Sequence, residues 1–302
     1  MAGRQGVRHA GYMERSIPLP AGIRRWLMPG VFAWPLLGLL TLVLSRATNL
    51  DWQIESGYFD AVTQTFPARH LWSWEVLGHL GTKYFTIALG LSLGIWLLRA
   101  WRHADPELLV AVTCTLVTAL VAVSLNGHFK SLSAHSCPWD LQGLGGHAHF
   151  FRFFAPVPPD AGAGRCLPSG HAAVGFMWLS AIHAAARWRP RWRWPVAAGV
   201  LAFGGLCGFI QILRGAHFPS HVIMAAVTCG TIAAISVRLP AWDWLLQRLL
   251  RQRATIQTPA TAPPASAALP CPDTDRQLGA PASSPARWPH REPAMPRECR
   301  PG

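Results

Sequence analysis

The sequence predicts an all-α, polytopic membrane protein built as a six-transmembrane-helix bundle. Three observations predict it. Of 302 residues, 51% are apolar and only 14% charged, against roughly 25% charged in ordinary soluble domains. The apolar residues gather into runs long enough to cross ~30 Å of hydrocarbon at ~1.5 Å per residue. Arginine clusters punctuate those runs instead of lining a groove. The formal net charge of +13 therefore reads as membrane orientation, and nucleic acid is not expected as a partner.

Residues 1–25 carry Arg4, Arg8, Arg15, Arg24 and Arg25 against the single acid Glu14, which marks a cytoplasmic N-terminal arm. The membrane domain covers 26–238. Its first span is Trp26 to Leu44, an uncharged run with no small-residue cleavage site after it, so a retained helix is expected. From Asp51 to Lys83, sparse acids alternate with Tyr58, Phe59, Phe66, Trp72 and Trp74, the composition of a segment lying at headgroup level. The second span runs from about Tyr84 to Leu98, short unless extended back toward Val76, and is closed by Arg99, Arg102 and His103; the third is Leu108 to Leu125. A Gly-, Pro-, His- and Phe-rich outer loop, 131–167, follows, and connections of that length are commonly functional. The fourth span is Ala172 to Ala186, entered through Pro168–His171; the basic turn Arg187–Arg193 leads to the fifth, Trp194 to Leu213, and then to the sixth, Val222 to Val237. Residues 239–253 have apolar positions at helical spacing, suited to an interfacial helix. Residues 254–302 turn to Pro, Ala, Thr, Ser and Arg with almost no aliphatics, a composition expected to form a disordered cytoplasmic tail.

With six spans, the basic arm, the 99–103 and 187–193 turns and the tail share one side, and the positive-inside bias makes it cytoplasmic. Three polar clusters then face outward together. The first is Lys130-x6-Cys137-Pro138-Trp139-Asp140, the second Pro168-Ser169-Gly170-His171, and the third Arg214-x2-His217-Phe218-Pro219-Ser220-His221. Spacings of three and four put Arg214, His217 and His221 on one face wherever helical pitch persists through Pro219. Taken alone, each cluster also fits interfacial anchoring. Their convergence on one side turns them into one candidate anion site.

These clusters resemble, in order, the three-part signature of the type 2 phosphatidic acid phosphatase (PAP2) superfamily: Lys-x6-Arg-Pro, Pro-Ser-Gly-His and Ser-Arg-x5-His-x3-Asp. The pattern of Lys-x6-Cys-Pro-Trp-Asp with Arg-Gly-Ala-His-Phe is similar to a bacterial membrane-associated branch of that superfamily. The resemblance runs from about Lys130 to Ala226 and implies a six-helix bundle of PAP2 type. It implies a lipid phosphatase in a bacterial inner membrane, multi-pass, with its active site facing the periplasm. By the same resemblance His217 is the nucleophile that forms a phosphohistidine, and His171 is the general acid at the leaving oxygen. The expected substrate is a membrane lipid phosphate: phosphatidic acid, phosphatidylglycerol phosphate, undecaprenyl diphosphate or lipid A. No cofactor and no metal are expected.

The physics of such a site stands independently. Phosphoryl transfer needs positioning and fixed positive charge around three oxygens. Lys130 and Arg214 supply charge, and an arginine fork binds two oxygens at once. Ser169 and Gly170 precede a helix whose N–H groups and dipole favour an anion. Imidazoles titrate near ~6.5 and suit both nucleophile and acid.

Three departures from the family pattern stand out. Cys137 occupies the position of the first-motif arginine, Arg214 sits one turn nearer the nucleophile than its family counterpart, and His221 replaces the acid that orients the nucleophile. His221 is expected to accept a hydrogen bond from His217, with Asp140 as an auxiliary carboxylate. In an oxidising compartment Cys137 and Cys166 have two open states, a disulfide or two free thiols. Two rival functions share the fold: a lipid phosphotransferase using the same intermediate, and a catalytically weakened lipid-binding protein. Coupled transport is disfavoured because the spans hold few ionisable groups.

Overall fold

The computed structural model describes residues 30–257, and over that range the chain is helical, with two isolated β-bridges and no strand. The expected arm 1–25, the start of the first span and the chain beyond 257 lie outside the described residues. Helix α1 (Gly30–Ala47) bends by 75° into the short α2 (Leu50–Ser56). A turn-rich stretch carries α3 (Pro67–His70), and a wide-pitch segment, Ser73–Gly81, runs directly into α4 (Thr82–Arg102). Then come α5 (Pro106–Leu132), α6 (Gly170–Phe176), a tight turn at Met177–Leu179, α7 (Ser180–Trp188), α8 (Arg193–Leu213), α9 (Pro219–Ser236) and α10 (Pro240–Gln257).

Local chemistry sets the ends. Asp105 caps α5 by accepting the Leu108 N–H at 3.0 Å, with Pro106 at the first helical position, where its missing N–H costs nothing. Ser169 caps α6 through Ala172 N–H at 3.3 Å. Gly215, at φ +73°, ends α8 and turns the chain toward α9, a conformation that glycine adopts without penalty.

Among the described residues, four helical stretches are long and apolar enough to cross a membrane: Ser73–Arg102, Pro106–Leu132, Pro190–Leu213 and Pro219–Ser236; the bent α1–α2 pair makes five if counted as one span. The expected count of six is not confirmed over the described residues. The stretch foreseen as a fourth span is broken at Met177–Leu179 and is diluted by His171, Ser180, His183 and Arg187. The second span takes the extension toward Val76 and goes slightly beyond it, to Ser73, because the wide-pitch turn draws 73–81 into the same helix. Helix α10 also runs four residues past the expected boundary at 253, to Gln257. Exposed Phe32, Leu36, Leu39, Tyr84, Phe85, Leu91 and Leu120 give the outside of the bundle an apolar surface, as a bilayer requires.

The core lies where α5, α6 and α9 meet, around Ala122, Ala172, Ala173, Phe176, Val222, Ala225 and Cys229. Small residues let these backbones approach closely. Helix α6 packs on α8 through Gly175 and Gly204: a side chain on Gly175 would run into the Gly204 backbone, and one on Gly204 would overlap the Phe176 ring. Gly204→Val is therefore expected to cost about 1–3 kcal/mol or more by overpacking. The thermal midpoint of the detergent-solubilised protein checks this, with the exposed Gly205→Val, which meets no neighbouring side chain, as the unaffected control.

Candidate functional site

The end of α5, the starts of α6 and α9 and the end of α8 meet at one end of the bundle. Backbone bonds tie them together. Ser169 N–H donates to the His221 carbonyl at 2.9 Å, and Asn126 Nδ2 on α5 donates to the Ser169 carbonyl at 3.3 Å. The outer loop closes over this junction as a folded lid with its own buried residues, Leu141, Leu144, Ala148, Phe153 and Ala161. Ser136 Oγ donates to the Ala161 carbonyl at 2.6 Å, and Cys166 N–H to the His135 carbonyl at 3.0 Å. Of the two open thiol states, the structure has the disulfide: Cys137 and Cys166 are bonded, with Cα atoms 5.2 Å apart.

Most of the residues singled out from the sequence meet here. His217 is 6% exposed, and its Nδ1 lies 3.2 Å from the Cys166 sulfur. A disulfide sulfur carries no proton, so the ring N–H is the donor in that contact, and the lone pair is left on Nε2. Burial pushes the His217 pKa down to about 3, and the charges of Lys130 and His171 push the same way. The imidazole is thus neutral at ordinary pH. Lys130 lies along Gly170, whose bare α-carbon faces the lysine stem. Ser169 is fully buried as the α6 cap.

His171 stacks on His79, with ring centroids 4.0 Å apart and planes 10° from parallel. Its Nε2 is 3.1 Å from the His79 carbonyl and 3.2 Å from Thr82 Oγ1. A carbonyl only accepts, so that nitrogen bears the hydrogen. Arg214, 8% exposed, caps α8, and its buried Nε has no partner. Burial lowers its proton affinity, Glu75 opposes the shift and Arg69 adds to it.

Two expected contacts do not form. His217 and His221 meet edge to face at 5.8 Å between centroids, and His221 Nδ1 is buried without a partner. His217 Nδ1 faces sulfur, not His221. Asp140 is exposed on the lid's surface, and among the described residues no hydrogen bond or ion pair joins its carboxylate to the site. The acid that does reach the α9 start is Asp51, whose Oδ1 accepts the Ser220 N–H at 2.9 Å and whose other oxygen accepts from Ser45. A carboxylate at a helix N-terminus is electrostatically favoured. Cys137, Cys166 and His217 place ligand atoms within 4.8 Å of one another, but sulfurs spent on a disulfide offer no thiolate to a metal.

Sequence reasoning missed His79, Thr82 and Asp51. All three fall in the stretch assigned to the headgroup level, and only the Gly78-His79-Leu80-Gly81 run within it hinted at close packing.

The PAP2 superfamily model matches residues 107–245, from the first turn of α5 into α10. Over those residues the chain is similar to the PAP2 superfamily. No curated protein and no solved structure matches the chain. The superfamily contains phosphatases and haloperoxidases, which supports phosphoryl hydrolysis at the general level, and the long apolar helices fit a membrane protein.

Depressed proton affinity at buried His217 makes folding pH-dependent. The unfolded chain takes up a proton near pH ~6.5 and the folded site does so only near 3. Stability contributed by the neutral ring is present above pH ~6.5 and lost as pH falls toward 3, by at most about 1.4 kcal/mol per pH unit. The half-buried His135, also lowered by burial, adds in the same direction. The thermal midpoint is expected to drop between pH 7 and 4.5, and His217→Gln to shrink that drop; an equal drop in both proteins contradicts the assignment.

Proposed function

We propose that this protein is an integral membrane lipid phosphatase that removes a phosphoryl group from a lipid phosphate through a phosphohistidine on His217. The observation that carries the reading is the neutral, buried His217 with its Nδ1 turned to the Cys166 sulfur. The Nε2 lone pair is then free to attack phosphorus, beside Lys130 and the capped start of α6.

In the first step Nε2 forms the N–P bond while the P–O bond to the lipid breaks. Lys130 and Arg214 balance charge on the equatorial oxygens, and the N–H groups of the α6 start cradle one of them. His171, anchored through Nε2 to the His79 carbonyl, keeps Nδ1 for the leaving oxygen and in its protonated form delivers the proton there. In the second step water attacks phosphorus while the N–P bond breaks and returns its electron pair to Nε2; neutral His171 takes the water's proton, and inorganic phosphate leaves. No step requires a metal or an organic cofactor. His221 packs behind His217 as an edge-on neighbour and limits the ring's rotation.

A lipid substrate follows from the site's place at the end of apolar helices, beside exposed Trp72, Tyr84 and Phe85, where a headgroup reaches the cations while its chains stay in hydrocarbon. The reading places the site on the periplasmic side of a bacterial inner membrane, consistent with the basic turns at the opposite end and with the disulfide in the lid.

The test is phosphate release from phosphatidic acid, phosphatidylglycerol phosphate, undecaprenyl diphosphate and lipid A by the purified full chain with chelator present. Activity that survives chelation, is inhibited by vanadate and falls at least ~10³-fold in His217→Ala is the expected result. Activity unchanged in His217→Ala rejects the nucleophile. Transfer of label exclusively to an acceptor lipid identifies a phosphotransferase instead.

A further inference from the structure

Arg69 is a half-buried arginine outside all three motifs. It stands in α3, and its guanidinium carbon lies 4.3 Å from the centroid of the Trp139 ring, within the range of a cation–π contact. Trp139 is fixed in turn, because its backbone N–H donates to the Gly215 carbonyl at 2.9 Å. Phe66, 1% exposed and immediately before α3, packs against the bare α-carbon of Gly215. The turn that ends α8 with Arg214 therefore also docks the segment that carries Arg69.

The two guanidinium groups feel each other's charge, and neither forms an ion pair among the described residues. Arg214 Nε is buried without an acceptor. Glu75 offsets part of the charge on Arg214 but forms no ion pair with either guanidinium among the described residues, and neighbouring cations so weakly compensated are relieved by a ligand with more than one negative charge. In the first motif the residue at 137 is a disulfide-bonded cysteine and carries no charge, while Trp139, two residues on, holds an arginine on its face.

We propose that Arg69 and Arg214 form a paired-guanidinium clamp selecting a terminal, doubly charged phosphoryl group, a phosphate monoester or diphosphate, over a phosphodiester. The proposal rests on the reading of the His217 site as a phosphoryl-transfer site. Arg69 acts on binding: it is half-exposed and close enough to Arg214 for the two charges to oppose each other. Trp139 is a positioning residue, acting only through Arg69.

The test uses the purified full chain in detergent, with inorganic phosphate as the binding probe in calorimetry, and phosphatidic acid and a phosphodiester lipid as substrates. Arg69→Gln is expected to weaken phosphate binding and raise KM for phosphatidic acid by about tenfold or more while kcat stays within about threefold. Arg69→Lys is expected to recover part of the loss, and Trp139→Leu to reproduce part of it. The preference for monoester over diester falls in Arg69→Gln. Phosphate affinity and KM both within about twofold of the unaltered protein in Arg69→Gln overturn the proposal, as does an equal loss toward monoester and diester. Thermal midpoints are measured alongside, and if Arg69→Gln unfolds, the Arg69→Lys and Trp139→Leu pair decides by the same criteria. Wild-type protein that binds phosphate through Arg69 but releases none from any lipid retains the clamp and sinks the phosphatase reading.

Discussion

Everything at the site depends on three helix ends being held in one register. The Ser169 N–H bonds to the His221 carbonyl, and the Ser169 carbonyl receives Asn126 from α5. These bonds satisfy backbone groups at helix termini, where four N–H or four carbonyl groups otherwise lack partners. They also fix the α6 start, with its oxyanion-seeking N–H groups, against the turn that carries His217. The alanine-rich core beneath lets α5, α6 and α9 approach closely enough for such bonds to form. Packing of small residues in the bundle is thus the cause, and the alignment of charged groups above it is the effect.

The second constraint is the lid. The Cys137–Cys166 bridge ties the first motif to the second and places a sulfur, not a carboxylate, behind His217. A carboxylate would stabilise an imidazolium; a sulfur does so far less, and the buried ring stays neutral. On the proposed reading, a neutral ring with its proton on Nδ1 offers Nε2 as the nucleophile, and Lys130 and the two arginines supply the charge stabilisation. Loss of the acid at 221 and of the arginine at 137 belong together in this view, because both are consequences of a site neutral at its centre and cationic at its rim.

Much of the fold was legible in the sequence because membrane solvation writes itself into long apolar runs. The three polar clusters were legible because each sits where such a run ends. The break within 170–188 was not: the tightening at Met177–Leu179 is one that no hydropathy pattern reveals. The partners His79, Thr82, Asp51 and Arg69 were also hidden. They come from the stretch 51–83 that leads into α4, whose mixture of aromatics and acids is equally compatible with lying on a membrane surface. Only tertiary packing, Phe66 against Gly215 and His79 against His171, draws that stretch over the site. The disulfide rested on compartment and proximity, and His221's expected bond to His217 failed because the Cys166 sulfur takes the nitrogen that would have made it.

The account's central claim is that the His217 imidazole, with Nδ1 committed to sulfur, attacks phosphorus through Nε2. Rapid mixing of the purified protein with a radiolabelled lipid phosphate, followed by alkaline quench and peptide mass spectrometry, tests it directly. The account predicts acid-labile phosphate on His217, attached at Nε2. Phosphate attached at Nδ1, carried by another residue, or absent under conditions of steady turnover would contradict it.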